Sequence, residues 1–154
     1  MIAIAIGGED FAASLKTEKT KGNIIIGGRE LFVARSMIVF AAREAGIQAI
    51  DSVFSDMRDE ETLINEVTMV KELGFDGKSC VNPRQIDIIH QVFTPTDKEI
   101  DYAHRVLAVF TEALANNSGV IALNGKMIDM PMVIRAERVL ANAHAAGVYH
   151  KEGI

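Results

Sequence analysis

The chain has 154 residues, 49% of them hydrophobic and 24% charged, with three prolines, one cysteine, no tryptophan and a formal net charge of −5. A domain of that length buries roughly two-thirds of the surface its unfolded chain exposes, and the composition is that of a soluble globular protein rather than a disordered or fibrous one. The acidic balance argues against nucleic-acid binding, which needs a basic face to displace counterions. No apolar run approaches the roughly 20 residues that span a bilayer, Met1–Ile6 lacks the charged lead and length of a signal peptide, and the lone Cys80 excludes an internal disulfide, so a cytoplasmic protein with no nucleic-acid or membrane partner is expected.

The first element, Ile2–Ile6, is an apolar run stopped by Gly7-Gly8-Glu9-Asp10-Phe11. It reads as a buried strand that delivers carboxylates to the rim of a sheet, where α/β enzymes keep their chemistry. Residues 14–28 follow as a polar, glycine-containing stretch holding Lys16, Lys19 and Lys21, read as a long rim loop of the kind that is usually functional. From Arg29 the spacing turns helical: Leu31, Ala34, Ile38, Ala41 and Ala42 make one stripe, Arg35 and Arg43 point away from it, and Gly46 ends the helix. Ile47–Val53 is a second buried strand with Asp51 at its rim end. Asp59 or a neighbour caps a helix carrying Leu63, Val67, Val70 and Leu73, ended by Gly74. Phe75–Val81 is a third strand, closed by Asn82-Pro83, with Lys78 near the start that points away from the rim and Cys80 buried within it. Strand, helix, strand, helix, strand means parallel strands, a piece of an α/β sheet or barrel.

The remainder is mainly helical: a short helix over 84–93, a longer one opened by Thr94-Pro95-Thr96-Asp97 and running to about Ala115, one extended piece at 120–123, and a last helix after Met130-Pro131. This divides the chain into 1–93, a strand and helix array, and 94–154, a helical extension. His90, His104, His144 and His150 show no metal spacing and read as surface or packing residues. Two candidate residues carry alternatives. Asp10 is either a ligand carboxylate or a turn residue, and Asp129 on pattern alone is the N-cap of the last helix, with proline in its first turn.

Five segments taken together, Gly7-Gly8-Glu9-Asp10-Phe11, Ala34-Arg35-Ser36, Ala45–Asp51, Leu73–Lys78 and Gly125–Pro131, resemble the citrate lyase β subunits of the citrate lyase/HpcH-HpaI aldolase superfamily of magnesium-dependent carbon–carbon lyases. The resemblance runs through essentially the whole chain. It implies a (β/α)₈ barrel, of which these residues would form about the last three βα units plus a helical C-terminal extension. Such barrels need about 250 residues, so the chain is expected to be either a fragment or a truncated protein that satisfies open sheet edges by self-association.

The resemblance also assigns chemistry. Asp10 would be one of two carboxylates binding Mg²⁺, its Glu partner lying before Met1, so this chain is expected to hold the ion poorly; Glu9 is the alternative oxygen donor, although neighbours on a strand point apart. Asp129 would be a catalytic acid/base that the extension of one subunit lends to the next. The implied reaction cleaves a citryl thioester, carried on CoA or on an acyl carrier subunit, into oxaloacetate and an acetyl thioester. Asp51 would contact substrate or order a group that does, unless it is a solvated strand-end cap, and Lys78 would form a structural ion pair. Other citrate lyase subunits and copies of the chain itself, a trimer by resemblance, are the implied partners. Asn82-Pro83 departs from the usual His-Pro. The competing readings are a related lyase or thioesterase of malyl-CoA type, an inactive assembly module, and a small α/β protein binding a phosphorylated ligand, the last weakened by the lack of a glycine-rich phosphate loop.

Overall fold

The computed structural model describes residues 2–17, 28–116 and 121–149. They divide into two compact units, Met1–Phe93 and Thr94–Ile154. Most of the 14–28 loop, with Lys19 and Lys21, and His150 lie outside the described residues.

The first unit is α/β. Its elements are β1 (Ala3–Ala5), α1 (Gly8–Ser14), α2 (Arg29–Glu44), β2 (Gln48–Asp51), α3 (Glu60–Leu73), β3 (Gly77–Lys78) and α4 (Arg84–Phe93). The strands are parallel in the order β1-β2-β3, with Ala3 opposite Gln48 and Asp51 opposite Lys78. Ile6, Val39, Ala42, Ala49, Val70 and Phe75 form the main core, and a second cluster of Phe54, Leu63, Val67 and Ile89 fills the space against α4. Burial at three- and four-residue intervals on α2 and α3 is what makes these segments helices on a sheet. Asp59 caps α3 by accepting the Thr62 N–H at 3.0 Å, and Gly74 ends it in the left-handed region. One end of the sheet is clamped from outside: Arg43 donates from both terminal nitrogens to Asp76, at 2.9 and 3.0 Å, and also to the Gly74 carbonyl, while Asp76 accepts the Ala49 N–H at 2.8 Å.

Several expectations need correction. Among the described residues β1 pairs with β2 alone and is not a buried strand: Ile2 is largely exposed and burial begins at Ile6. The Gly-Gly-Glu-Asp-Phe segment that follows β1 is a helix start, with Gly7 the N-cap and Gly8–Phe11 the first turn of α1. The third strand shrinks to Gly77–Lys78, because Phe75 is drawn into the core by its N–H bond to the Val70 carbonyl, and the chain turns away after Ser79. Cys80 is consequently exposed. Arg35 does not point away from the core; it is buried.

The second unit contains α5 (Asp97–Ala115), β4 (Ala122–Leu123), β5 (Lys126–Met127) and α6 (Met130–Ala145). α5 packs on α6 around Ala103, Val106, Ile128, Val133 and Ala136. A capping box starts α5, Thr96 Oγ1 accepting the Glu99 N–H and Glu99 accepting the Thr96 N–H. The single extended piece expected here is a hairpin: β4 and β5 pair antiparallel across Asn124-Gly125, with φ of 52° and 76°, the two-residue turn that Asn-Gly favours. His104 packs edge-on against Tyr149, with ring centroids 5.0 Å apart.

Candidate functional site

Gly7 is the N-cap of α1, and Glu9 and Asp10 are in its first turn, where the helix dipole favours carboxylates. Both acids are exposed. Asp10 turns back over the cap, with Oδ2 3.4 Å from the place a Cβ on Gly7 would occupy. Gly8 is buried against the end of β2, and a Cβ there would stand 2.6 Å from Ser52 Oγ and 3.0 Å from Leu31 Cδ1. The glycine is therefore required by a close approach, and that approach brings the start of α1 to the residue that follows Asp51.

Asp51 is not a solvated cap. It is fully buried, and Lys78 beside it is buried too. Arg35 grips the carboxylate with two bonds, Nε to Oδ1 at 2.8 Å and Nη2 to Oδ2 at 3.1 Å, and Lys78 Nζ donates to Oδ2 at 2.7 Å and to the Ser52 carbonyl at 2.8 Å. Glu66, at the edge, pairs with Lys78 and lies 3.4 Å from Arg35 Nη2. Lys78 is thus the structural ion pair anticipated for it, but it stands level with Asp51 in the β2–β3 register rather than at the far end. Two cations and two anions make an electroneutral interior cluster, the condition under which buried charge is tolerated. Arg35 Nη1 has no hydrogen-bond partner among the described residues; it lies under Gly28, where a Cβ would come within 2.9 Å. Sequence reasoning missed Arg35 and Glu66 as members of this cluster. The signal was present: Arg35 sits between Leu31 and Val39 at four-residue steps on the buried stripe of α2, and Glu66 shares the stripe of Leu63, Val67 and Val70.

In the second unit Asp129 is exposed and caps α6, its Oδ1 accepting the Met132 N–H at 3.1 Å, with Pro131 in the first turn. Gln85 is buried and ties the rim of the first unit together, donating to the Phe54 carbonyl at 3.0 Å and accepting the Val81 N–H at 3.1 Å. A shallow surface depression lies beside it, lined by Asp56, Met57, Asp59, Glu60, Arg84 and their neighbours. The hydroxyl and then the N–H of Thr62 hold the Asp59 carboxyl below its usual range.

Among the described residues no three His, Cys, Asp or Glu side chains gather as a metal cage. The donor available at the α1 rim is Asp10, an exposed oxygen ligand, with Glu9 next to it. That fits a hard ion such as Mg²⁺, which takes one or two carboxylates and completes its shell with water and substrate, and does not fit a closed nitrogen- or sulfur-ligated centre. No helix among the described residues is long and apolar enough to cross a membrane.

The comparisons with known proteins agree with one another. The citrate lyase subunit beta of Leuconostoc mesenteroides subsp. cremoris is 45% identical over 99% of this chain and 49% of its own length. A citramalyl-CoA lyase of Mus musculus is 35% identical over 92% of this chain and 40% of its own. Among solved structures, the protein CitE of Mycobacterium tuberculosis, crystallised with magnesium, acetoacetate and coenzyme A, superposes with a TM-score of 0.76 and 31% identity over 91% of this chain and 51% of its own. The chain spans about half the length of the curated relatives it matches. Residues 1–83 match the model of the HpcH/HpaI aldolase/citrate lyase family, and the chain belongs to that family.

Proposed function

We propose that this chain is the C-terminal portion of a citrate lyase β-type barrel, about its last three βα units and helical extension, and that it serves Mg²⁺-dependent cleavage of a citryl thioester to oxaloacetate and an acetyl thioester. The observation that carries the reading is 45% identity over 99% of the chain to a citrate lyase subunit beta. Asp10 would be a metal ligand, with Glu9 as a weaker candidate for contacting substrate; the ion supplies charge stabilisation for the oxaloacetate portion. Asp129 would exchange the proton at the acetyl carbon, offered by the extension to a neighbouring subunit in a homo-oligomer. Asp51, buried and saturated by two cations, serves better as a support than as a substrate contact. The acyl group would ride on CoA or on a carrier subunit.

The test is a chimera in which residues 1–154 replace the matching half of the full-length Leuconostoc subunit, assayed for Mg²⁺-dependent oxaloacetate release from citryl-CoA. The chimera is expected to turn over, and Asp10→Asn and Asp129→Asn to abolish turnover. A folded chimera without activity, or one indifferent to Asp10→Asn, refutes the reading. The second reading, a lyase for a related CoA thioester, is favoured by the 35% identity to citramalyl-CoA lyase, and wins if the chimera prefers citramalyl-CoA or malyl-CoA.

A further inference from the structure

The densest charge in the first unit is sealed away from any substrate, yet it touches the backbone that abuts α1. We propose that the cluster of Arg35, Asp51, Lys78 and Glu66 is the positioning device for the Asp10 carboxylate, acting through Ser52 and Gly8. The coupling runs through four links. Arg35 and Lys78 immobilise the Asp51 side chain. Lys78 Nζ fixes the next peptide through the Ser52 carbonyl at 2.8 Å. Ser52 is itself buried, and its Oγ stands 2.6 Å from where a Cβ on Gly8 would be, so the two segments meet with no slack. Gly8 opens α1, and Asp10 follows two residues later.

α1 also packs on α2, with Leu31 Cδ1 3.0 Å from the same Cβ position on Gly8. It is seven residues long and its N-cap, Gly7, makes no side-chain hydrogen bond, and a helix that short does not hold itself together in water. Its first turn therefore takes its position from what it packs on, Ser52 and Leu31 among them. The cluster acts on Asp10 without touching it, so Lys78 and Asp51 are positioning residues. The functional meaning of this rests on Asp10 being a metal ligand, whereas the mechanical coupling does not.

The experiment uses the ¹⁵N-labelled chimera described above, in which the Leuconostoc half supplies the second carboxylate, with Mn²⁺ as the probe. Mn²⁺ affinity is read by electron paramagnetic resonance, and the Glu9 and Asp10 amide shifts by NMR, in the unsubstituted chimera, Lys78→Met, Gly8→Ala and the pair Lys78→Met/Glu66→Gln, which keeps the interior neutral and so preserves folding. Each variant is expected to move both amides and to weaken Mn²⁺ binding about tenfold, the usual effect of removing a group that orients a ligand. Gly8→Ala is further expected to move the Asp51 and Ser52 amides in return. If the folded neutral pair leaves the Glu9 and Asp10 amides in place, the cluster is structural only and the proposal is overturned, as it is if Gly8→Ala leaves Asp51 and Ser52 unmoved. If the unsubstituted chimera holds no Mn²⁺ while the amides move as stated, the ligand reading of Asp10 falls and the positioning stands.

Discussion

Replacing Asp51 with asparagine tests the electroneutral cluster most directly. The side chain is fully buried and accepts three bonds, two from Arg35 at 2.8 and 3.1 Å and one from Lys78 at 2.7 Å. Asparagine has nearly the same shape, so no cavity opens and the change is electrostatic. One oxygen becomes an NH₂ that faces cationic donors, and the interior is left with two cations against Glu66 alone. Removing one partner of a buried ion pair costs about 3–5 kcal/mol, a large share of the roughly 5–15 kcal/mol that holds a domain folded. Glu66 contacts both cations from the edge, with 17% of its side chain exposed, and water replaces it there. Glu66→Gln should therefore cost only about 1.5 kcal/mol, the loss of a hydrogen bond to a charged group. Both tyrosines, Tyr102 and Tyr149, belong to the second unit, so tyrosine emission does not report on this change. Urea unfolding followed at the Ala49 amide, in the core of the first unit, does. Equal losses for Asp51→Asn and Glu66→Gln would refute the ranking and with it the view that Asp51 is the hub.

Three further outcomes are expected. Asp129→Ala should destabilise α6 by about 1 kcal/mol through loss of the cap, whereas Asp129→Asn keeps the cap, and tyrosine-detected unfolding separates the two. Gly125→Ala forces a side chain into the left-handed turn of the β4–β5 hairpin and should cost about 1–2 kcal/mol in the same assay. Asp59 has its carboxyl pKa lowered by the Thr62 hydroxyl and N–H; its cap therefore stabilises α3 above the unfolded-state pKa, and the stabilisation fades as pH falls through the folded-state value. Thr62→Val should move the Asp59 titration, followed by carboxyl ¹³C shift, back up toward the usual range.

Periodic burial made α2, α3, α5 and α6 legible, because Leu31, Leu63, Val67, Val106 and Val133 recur at helical spacing and glycine or a capping residue marks most ends. The strands were legible in existence but not in extent. An apolar run such as Ile2–Ile6 reads as buried, while the ladder reaches only where a neighbour supplies partners, and β1 has one neighbour among the described residues. α1 was missed because Gly-Gly argues against a helix by propensity, and the reason for Gly8, a Ser52 oxygen just past the end of another strand, lies 44 residues away in sequence. The hairpin was missed although Asn124-Gly125 announces it; two-residue strands leave no alternation to read. Charge was the least legible feature. Arg35 was assigned to solvent because arginine is usually there, and only the joint presence of Asp51, Lys78 and Glu66 makes its burial tolerable.

The two acids singled out from the sequence, Asp10 and Asp129, meet the same physical arrangement: each sits at the start of a helix, Asp10 in the first turn of α1 and Asp129 at the N-cap of α6. A capping role and a chemical role are not alternatives for Asp129. The bond from the Met132 N–H occupies Oδ1 and holds the side chain of an exposed residue. A carboxylate needed at a reacting carbon must be held in one orientation before substrate arrives, and a helix N-terminus does this with the backbone alone. That is why Asp129→Asn is the informative substitution. It retains the cap and the fold of α6 and removes only the basic oxygen, so a loss of turnover in the chimera at unchanged stability would assign Asp129 a chemical task, and retained turnover would return it to a cap alone.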